Sequence, residues 1–264
     1  MIKRIILIVF CVLAVQDIHA QMDDMFYYPD KEWTDLQGKY EDIVFVRQAD
    51  TVHSVLFKPL GEPVATVIYF HGNGSNISKW ASHVKPLVDA GMQVCMMDYR
   101  GYGKSTGRPT HLNIADDARE LYSVLVSRPD VEGTPIIVYG ASIGSQAASL
   151  IARENNERIA ALVLDGAMES FTDVAVATSP PEQAEIIRQY VPSPYSAKEN
   201  IPELRGIRLL FIHSEEDPIP IAGAQRLYET AVCEKEFWLY QGPHVMAPVL
   251  FPEELARRVN RLID

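Results

Sequence analysis

Ser142 stands in Gly140-Ala141-Ser142-Ile143-Gly144, and an acid and a histidine, Asp217 and His244, follow it in that order. A serine hydroxyl at its ordinary pKa is a poor nucleophile. A histidine base, itself oriented by a carboxylate, makes it competent for acyl transfer. Gly140 and Gly144 suit such a serine: lacking a Cβ, they let a strand and the helix after it approach while the serine is held in a sharp turn. Asp217 lies in Ile212-His213-Ser214-Glu215-Glu216-Asp217-Pro218-Ile219-Pro220 and His244 in Gln241-Gly242-Pro243-His244. Both follow apolar runs, so both are expected on loops at the C-terminal ends of strands. The competing readings are a helix N-cap ahead of Pro220 for Asp217 and a solvent-exposed loop histidine for His244. Glu215 and Glu216 read as solvated neighbours, and Asp165 is the reserve acid. Acyl transfer also needs two N–H donors for the tetrahedral oxyanion. The amide of Ile143 is the expected first donor. The second is expected from His71-Gly72-Asn73-Gly74, with Asn73 the choice and Gly74 the alternative; His71 itself reads as a local partner that holds the loop.

The elements that must position these residues are legible as periodicity. Apolar, β-branched runs occur at Ile43–Val46, Val52–Phe57, Val64–Phe70, Gln93–Met97, Pro135–Tyr139, Ala160–Leu164, Arg208–Ile212 and Glu236–Tyr240. Segments of helical periodicity separate them from Val64 onward: Ser78–Ala90, Ile114–Ser127, Ile143–Glu154, Ile221–Thr230 and Pro252–Leu262. This alternation predicts an α/β fold, a mostly parallel eight-stranded sheet with helices on both faces. No helix separates the first two runs, and the turn-like Gln48-Ala49-Asp50-Thr51 predicts an antiparallel pair at one edge. The rhythm breaks across residues 166–204, where Ser179-Pro180-Pro181 and Pro192-Ser193-Pro194 interrupt it. A short lid-like insertion is expected there, over the sheet edge where ligands of open α/β sheets bind. Phe171, Val174, Val176, Ile186, Ile187, Tyr190 and Tyr195 would give its short helices an apolar underside, or simply pack onto the sheet. With no repeat and no linker, residues 21–264 read as one domain.

The chain has 264 residues and a net charge of −11, which disfavours a phosphate-binding surface for DNA or RNA. Lys3 and Arg4 precede an apolar run from Ile5 to Val15, too short to span a bilayer, and Ile18-His19-Ala20 could be cleaved. Residues 1–20 therefore read as a signal peptide for secretion or a periplasm, with an uncleaved membrane anchor as the alternative. The mature chain would keep Cys95 and Cys233, read as free thiols because Cys95 lies within an apolar strand. Gly103-Lys104-Ser105 resembles the end of a phosphate-binding loop, but Asp98 occupies the required first glycine position. The histidines lack zinc-ligand spacing, so no metal is expected. The region of Trp33 and Tyr27-Tyr28 is expected to cover a sheet edge.

Taken together, His71-Gly-Asn-Gly74, Asp98-Tyr-Arg-Gly-Tyr-Gly103, Gly140-Ala-Ser-Ile-Gly144, the Asp217 loop and His244 resemble the α/β-hydrolase-fold serine hydrolases of the compact, short-lid, esterase-like kind. The resemblance runs from about residue 43 to the end. It implies Ser142 as nucleophile, His244 as general base, Asp217 as its orienter and no cofactor, with Asp98 to Gly103 a structural turn beneath the site. The expected activity is carboxylic ester hydrolysis on a small-molecule ester or acyl substrate. Peptidase, thioesterase and lipid-hydrolase activities share the triad chemistry, and a non-catalytic binding protein is the competing class. The chain departs from the family twice. Ser214 stands where glycine often follows the histidine, and Ser145 replaces a glycine common in prolyl-oligopeptidase-like peptidases, which weakens a peptidase reading.

Overall fold

A computed structural model describes residues 23–264. The expected leader segment lies outside the described residues. Among the described residues, eight strands form the main sheet: β2 (Lys39–Arg47), β3 (Asp50–Lys58), β4 (Ala65–Phe70), β6 (Met92–Met97), β7 (Ile136–Ala141), β8 (Ile159–Asp165), β9 (Arg208–Ser214) and β10 (Glu234–Tyr240). Two short strands, β1 (Tyr28–Pro29) and β5 (Gly74–Ser75), pair with each other in parallel apart from it. The main sheet runs β10-β9-β8-β7-β4-β6-β3-β2. All neighbours from β6 to β10 pair in parallel, while β3 is antiparallel to both β6 and β2. The predicted sheet and its antiparallel edge pair are therefore present, and a two-residue turn at Gln48-Ala49 closes that hairpin, with Gln48 at φ 58°.

The central strands carry apolar residues at nearly every position because both faces are covered. One face of the sheet presents Leu56, Ile68, Val138, Leu162 and Phe211 to helices α2 (His111–Val126) and α3 (Gly144–Glu154). The other presents Val55, Val67, Ile137, Val163 and Leu210 to α1 (Ile77–Asp89) and the C-terminal helix (Pro252–Asn260). Adjacent residues thus serve opposite cores, as the two-residue period of a strand requires. Edge strand β2 differs: Ile43 is buried, Val44 and Val46 are exposed, and Lys39, Glu41, Asp42 and Arg47 interrupt its rim with charge. Charged, uneven edges of this kind resist pairing with other chains.

The insertion forms α4 (Phe171–Ala177), a 3₁₀ turn (Pro181–Gln183), α5 (Ala184–Tyr190) and α6 (Ala197–Asn200). Phe171, Ile187 and Tyr195 are buried, with Phe171 stacked 3.6 Å from the His111 ring. Ile186 and Tyr190 are exposed, contrary to the apolar underside expected of them, because a two-turn helix buries only the stripe that holds Ile187. Among the described residues, Cys95, in β6, and Cys233 form no disulfide, and burial pushes the Cys95 thiol up to about 12. Trp33 meets His53 of β3 edge-on at 5.5 Å, covering that end of the sheet. Among the described residues, no helix is long and apolar enough to cross a membrane.

Candidate active site

Four consecutive strand ends build the site. After β7, Ser142 adopts φ 53° before α3 begins. Such a conformation is costly for a residue with a Cβ and persists only where surroundings over-determine it. Here they do. The Ser142 N–H donates to the carbonyl of Asp165 on β8 at 2.7 Å, and the Ser142 carbonyl accepts from Ser145 N–H at 2.9 Å. A Cβ at Gly144 would lie 2.1 Å from the Phe70 carbonyl oxygen, and one at Gly140 would lie 2.6 Å from the Ser145 Cα. Glycine is therefore required at both flanks.

The acid loop follows β9. The Asp217 side chain is buried, its Oδ1 accepting from Ile219 N–H at 2.8 Å and its Oδ2 from His244 Nδ1–H at 2.6 Å. It does not cap a helix: helix α7 (Ile221–Thr230) starts after Pro220 without any side-chain cap. His244 follows β10 in a loop fixed by Tyr240, whose hydroxyl donates to the Pro243 carbonyl at 2.6 Å and accepts from Met246 N–H at 2.8 Å. Ser214, a departure from the family pattern, ties the two loops together. Its hydroxyl donates to the Gly242 carbonyl and accepts from Glu216 N–H. Glu215 and Glu216 are exposed, as expected.

Gly166 joins these loops to the serine. Asp165 holds Ser142 through its carbonyl, and the next residue packs against the histidine: a Cβ at Gly166 would lie 2.5 Å from His244 Cε1. The loop after β4 approaches from the other side, where a Cβ at Gly72 would sit 3.6 Å from that of Ser142. Among the described residues, the N–H groups of Ile143 and Asn73 donate to no other protein group. His71 holds the loop as expected, its Nδ1–H donating to the Gly72 carbonyl at 2.7 Å. The turn from Asp98 to Gly103 supports the same loop. Tyr99 donates to the His71 carbonyl at 2.7 Å, and Asp98 Oδ1 accepts the first N–H of α1 at 2.9 Å.

The reserve acid is placed otherwise. Asp165 is fully buried, accepts the Tyr139 hydroxyl at 2.9 Å and is raised to about 7 by that burial. His213 is also buried and pushed down by desolvation, its Nε2–H donating to the Ile219 carbonyl at 3.2 Å. Sequence reasoning missed Gly166, Tyr240 and the bridging role of Ser214. Gly166 carried a signal, a glycine directly after a strand-end acid; the other two act through contacts between segments distant in the chain.

A cavity of about 200 Å³ adjoins this arrangement, between α4, the acid loop and α7. Met168, Val174, Ala177, Ile219 and Pro220 give it apolar walls, and it begins one residue from Gly166 and two from Asp217. At its rim Arg226 clamps Glu169 with two hydrogen bonds of 2.8 and 2.6 Å. Asp173 accepts from Lys198 at 2.6 Å.

Burial sets a pH dependence of stability. Desolvation pushes the imidazoles of His71 and His213 down, His83 to about 4 and His111 to about 3. The unfolded chain therefore binds protons that the folded chain refuses below about pH 6.5, so stability rises with pH up to that point. Asp165 acts oppositely. Folded, it keeps a proton up to about 7 that the unfolded chain loses near pH 4, so its contribution falls with rising pH. Four histidines outweigh one carboxyl. Urea unfolding should give a free energy at least about 2 kcal/mol larger at pH 6.5 than at pH 4.5. A flat or falling profile would show that these imidazoles are protonated in the folded state.

Known proteins show the same architecture. A protein-family model described as Serine aminopeptidase, S33 matches residues 61–193, which include Asn73 and Ser142 but stop short of Asp217 and His244. The uncharacterized protein YfhR of Escherichia coli (strain K12) is 30% identical over 249 residues, covering 91% of this chain and 85% of its own. The Pyrococcus furiosus esterase Pf2001 superposes with a TM-score of 0.70 at 21% identity, over 90% of this chain and 96% of that one. A thermostable carboxyl esterase from Bacillus coagulans gives a TM-score of 0.67 at 15% identity, over 86% of this chain and 100% of that one. At such identities the two structures speak for the fold alone. The family match and the full-length relative, meeting at the turn that holds Ser142, decide the family: the chain is an α/β-hydrolase-fold hydrolase and belongs to the Serine aminopeptidase, S33 family.

Proposed function

We propose that the protein hydrolyses carboxylic esters through an acyl-enzyme on Ser142, with His244 as general base and Asp217 as its orienter. The observation that carries this reading is the 2.6 Å contact between His244 Nδ1 and the buried Asp217 carboxylate. It fixes the proton on Nδ1 and leaves Nε2 free to accept one. Ser142 Oγ attacks the ester carbonyl carbon as Nε2 takes the hydroxyl proton. The carbonyl oxygen becomes an oxyanion, and the N–H groups of Ile143 and Asn73 stabilise it. Collapse expels the alcohol, which takes the proton from His244. Water, deprotonated by the same base, then releases the acid and restores the serine.

Two rim carboxylates favour an ester over the aminopeptidase activity in the family's description. Capture of a peptide's free amino terminus needs a carboxylate with charge to spare. Glu169 and Asp173 are already neutralised by Arg226 and Lys198. We further propose that the cavity beside α4 receives the acyl chain. At about 200 Å³ it is smaller than the usual range for drug-sized ligands. Each added CH₂ should help by at most ~0.8 kcal/mol until the cavity fills. Along a series of p-nitrophenyl esters, kcat/KM should peak between acetyl and octanoyl and fall beyond, and aminoacyl p-nitroanilides should be poor substrates. A profile still rising at palmitoyl would remove the cavity from the reaction. Faster turnover of the anilides would replace the esterase by a peptidase.

A further inference from the structure

The segment from Tyr27 to Glu32 does more than cover the fold. Its strand β1 pairs with β5, which directly follows Asn73. Tyr28 N–H donates both to the Asn73 carbonyl, at 2.8 Å, and to the Tyr102 hydroxyl, at 2.9 Å. The Tyr102 hydroxyl in turn donates to the same Asn73 carbonyl at 2.5 Å. Tyr102 is fully buried, its ring 5.3 Å from that of His71 and 5.6 Å from that of Tyr99. The segment is anchored beyond this point as well. Gly103 N–H donates to the Asp30 carbonyl at 2.9 Å, Asn76 Nδ2 donates to the carbonyls of Asp30 and Glu32, and Lys79 pairs with both of their carboxylates.

A trans peptide is planar, so its C=O and N–H point in opposite directions, and holding one aims the other. His71 holds the Gly72 carbonyl and so aims the Asn73 N–H. Tyr28 and Tyr102 hold the Asn73 carbonyl and so fix the next peptide of the same loop. We infer that this N-terminal strap, acting through the Tyr28 N–H and the Tyr102 hydroxyl, positions the oxyanion-donor loop and so belongs to the catalytic apparatus. Tyr102 is then a positioning residue, acting through Asn73. The inference rests on the ester-hydrolase reading above.

Three variants test it. Tyr102→Phe removes the hydroxyl and keeps the ring. Tyr28→Pro removes the N–H. Met25→Ala, just outside the strap, loses only a side chain that is 57% exposed. Each is assayed for kcat and KM on a short p-nitrophenyl ester. Each is also assayed for affinity to a trifluoromethyl ketone, to whose carbonyl carbon Ser142 Oγ adds while the proton passes to His244 and the ketone oxygen becomes the oxyanion. Tyr102→Phe and Tyr28→Pro should lower kcat about 10- to 100-fold at unchanged KM and weaken the ketone adduct by the same factor. Met25→Ala should match the wild type. Thermal melts give the folded fraction of each. Tyr102→Phe and Tyr28→Pro equal to the wild type in kcat and adduct affinity would overturn the inference, as would losses that vanish once scaled to the folded fraction. In either case an active wild type leaves the esterase reading standing. A wild type that neither turns over esters nor reacts with a fluorophosphonate would overturn both.

Discussion

Replacing Ser142 by alanine should abolish ester turnover and fluorophosphonate labelling while leaving the fold in place. Loss of a catalytic serine costs on the order of 10⁶ in kcat, because base, orienter and oxyanion donors have no nucleophile to act through. The fold should hardly respond. Alanine meets the same steric cost as serine at φ 53°, and the bonds that fix this turn run through its backbone, to Asp165 and Ser145. Labelling of wild type and variant with a fluorophosphonate, beside matched thermal melts, is the measurement. A variant that still labels would place the nucleophile elsewhere.

Asp217→Asn should lower kcat/KM by about 10⁴, whereas Asp165→Asn should change it by less than about 10-fold. The amide at 217 would either turn an N–H toward His244 Nδ1 or offer a weaker, uncharged oxygen. The first puts the histidine in the wrong tautomer, and the second leaves the imidazolium that forms during attack without its counter-charge. Asp165 meets neither demand. Its carboxyl faces Tyr139 and stays neutral up to about 7, so a neutral amide of the same shape can replace it. Steady-state kinetics of both variants on one short ester, at a pH below 7 where Asp165 keeps its proton, decides between the two acids. Equal losses would make Asp165 a working member of the site.

The main sheet was legible because each of its strands is long enough to show a period. Eight apolar runs matched β2 to β4 and β6 to β10, and the missing helix after the first run correctly marked an antiparallel edge. Ser142, Asp217 and His244 were legible because each sits immediately past such a run, flanked by residues that bend the chain. The strap was not. Strands β1 and β5 have two residues each, too few for any periodicity, and pair across more than forty positions of sequence. Ser214 looked like a neutral departure from a glycine, since nothing local announces that its hydroxyl reaches Gly242. The insertion was half legible: Phe171 and Tyr195 are buried as their apolarity suggests, whereas Ile186 and Tyr190 face solvent. Hydrophobicity alone does not say which side of a two-turn helix has something to pack against.

The left-handed backbone at Ser142 has a consequence for how this protein could change over time. A residue with a Cβ loses roughly 1–2 kcal/mol in that conformation relative to glycine, which adopts it freely. On the proposed mechanism, glycine at position 142 would thus be the more stable residue and the inactive one. Stability and activity are opposed at a single atom-bearing carbon. Selection or engineering for heat resistance alone would favour erasing the nucleophile, and only a demand for turnover keeps the serine in place.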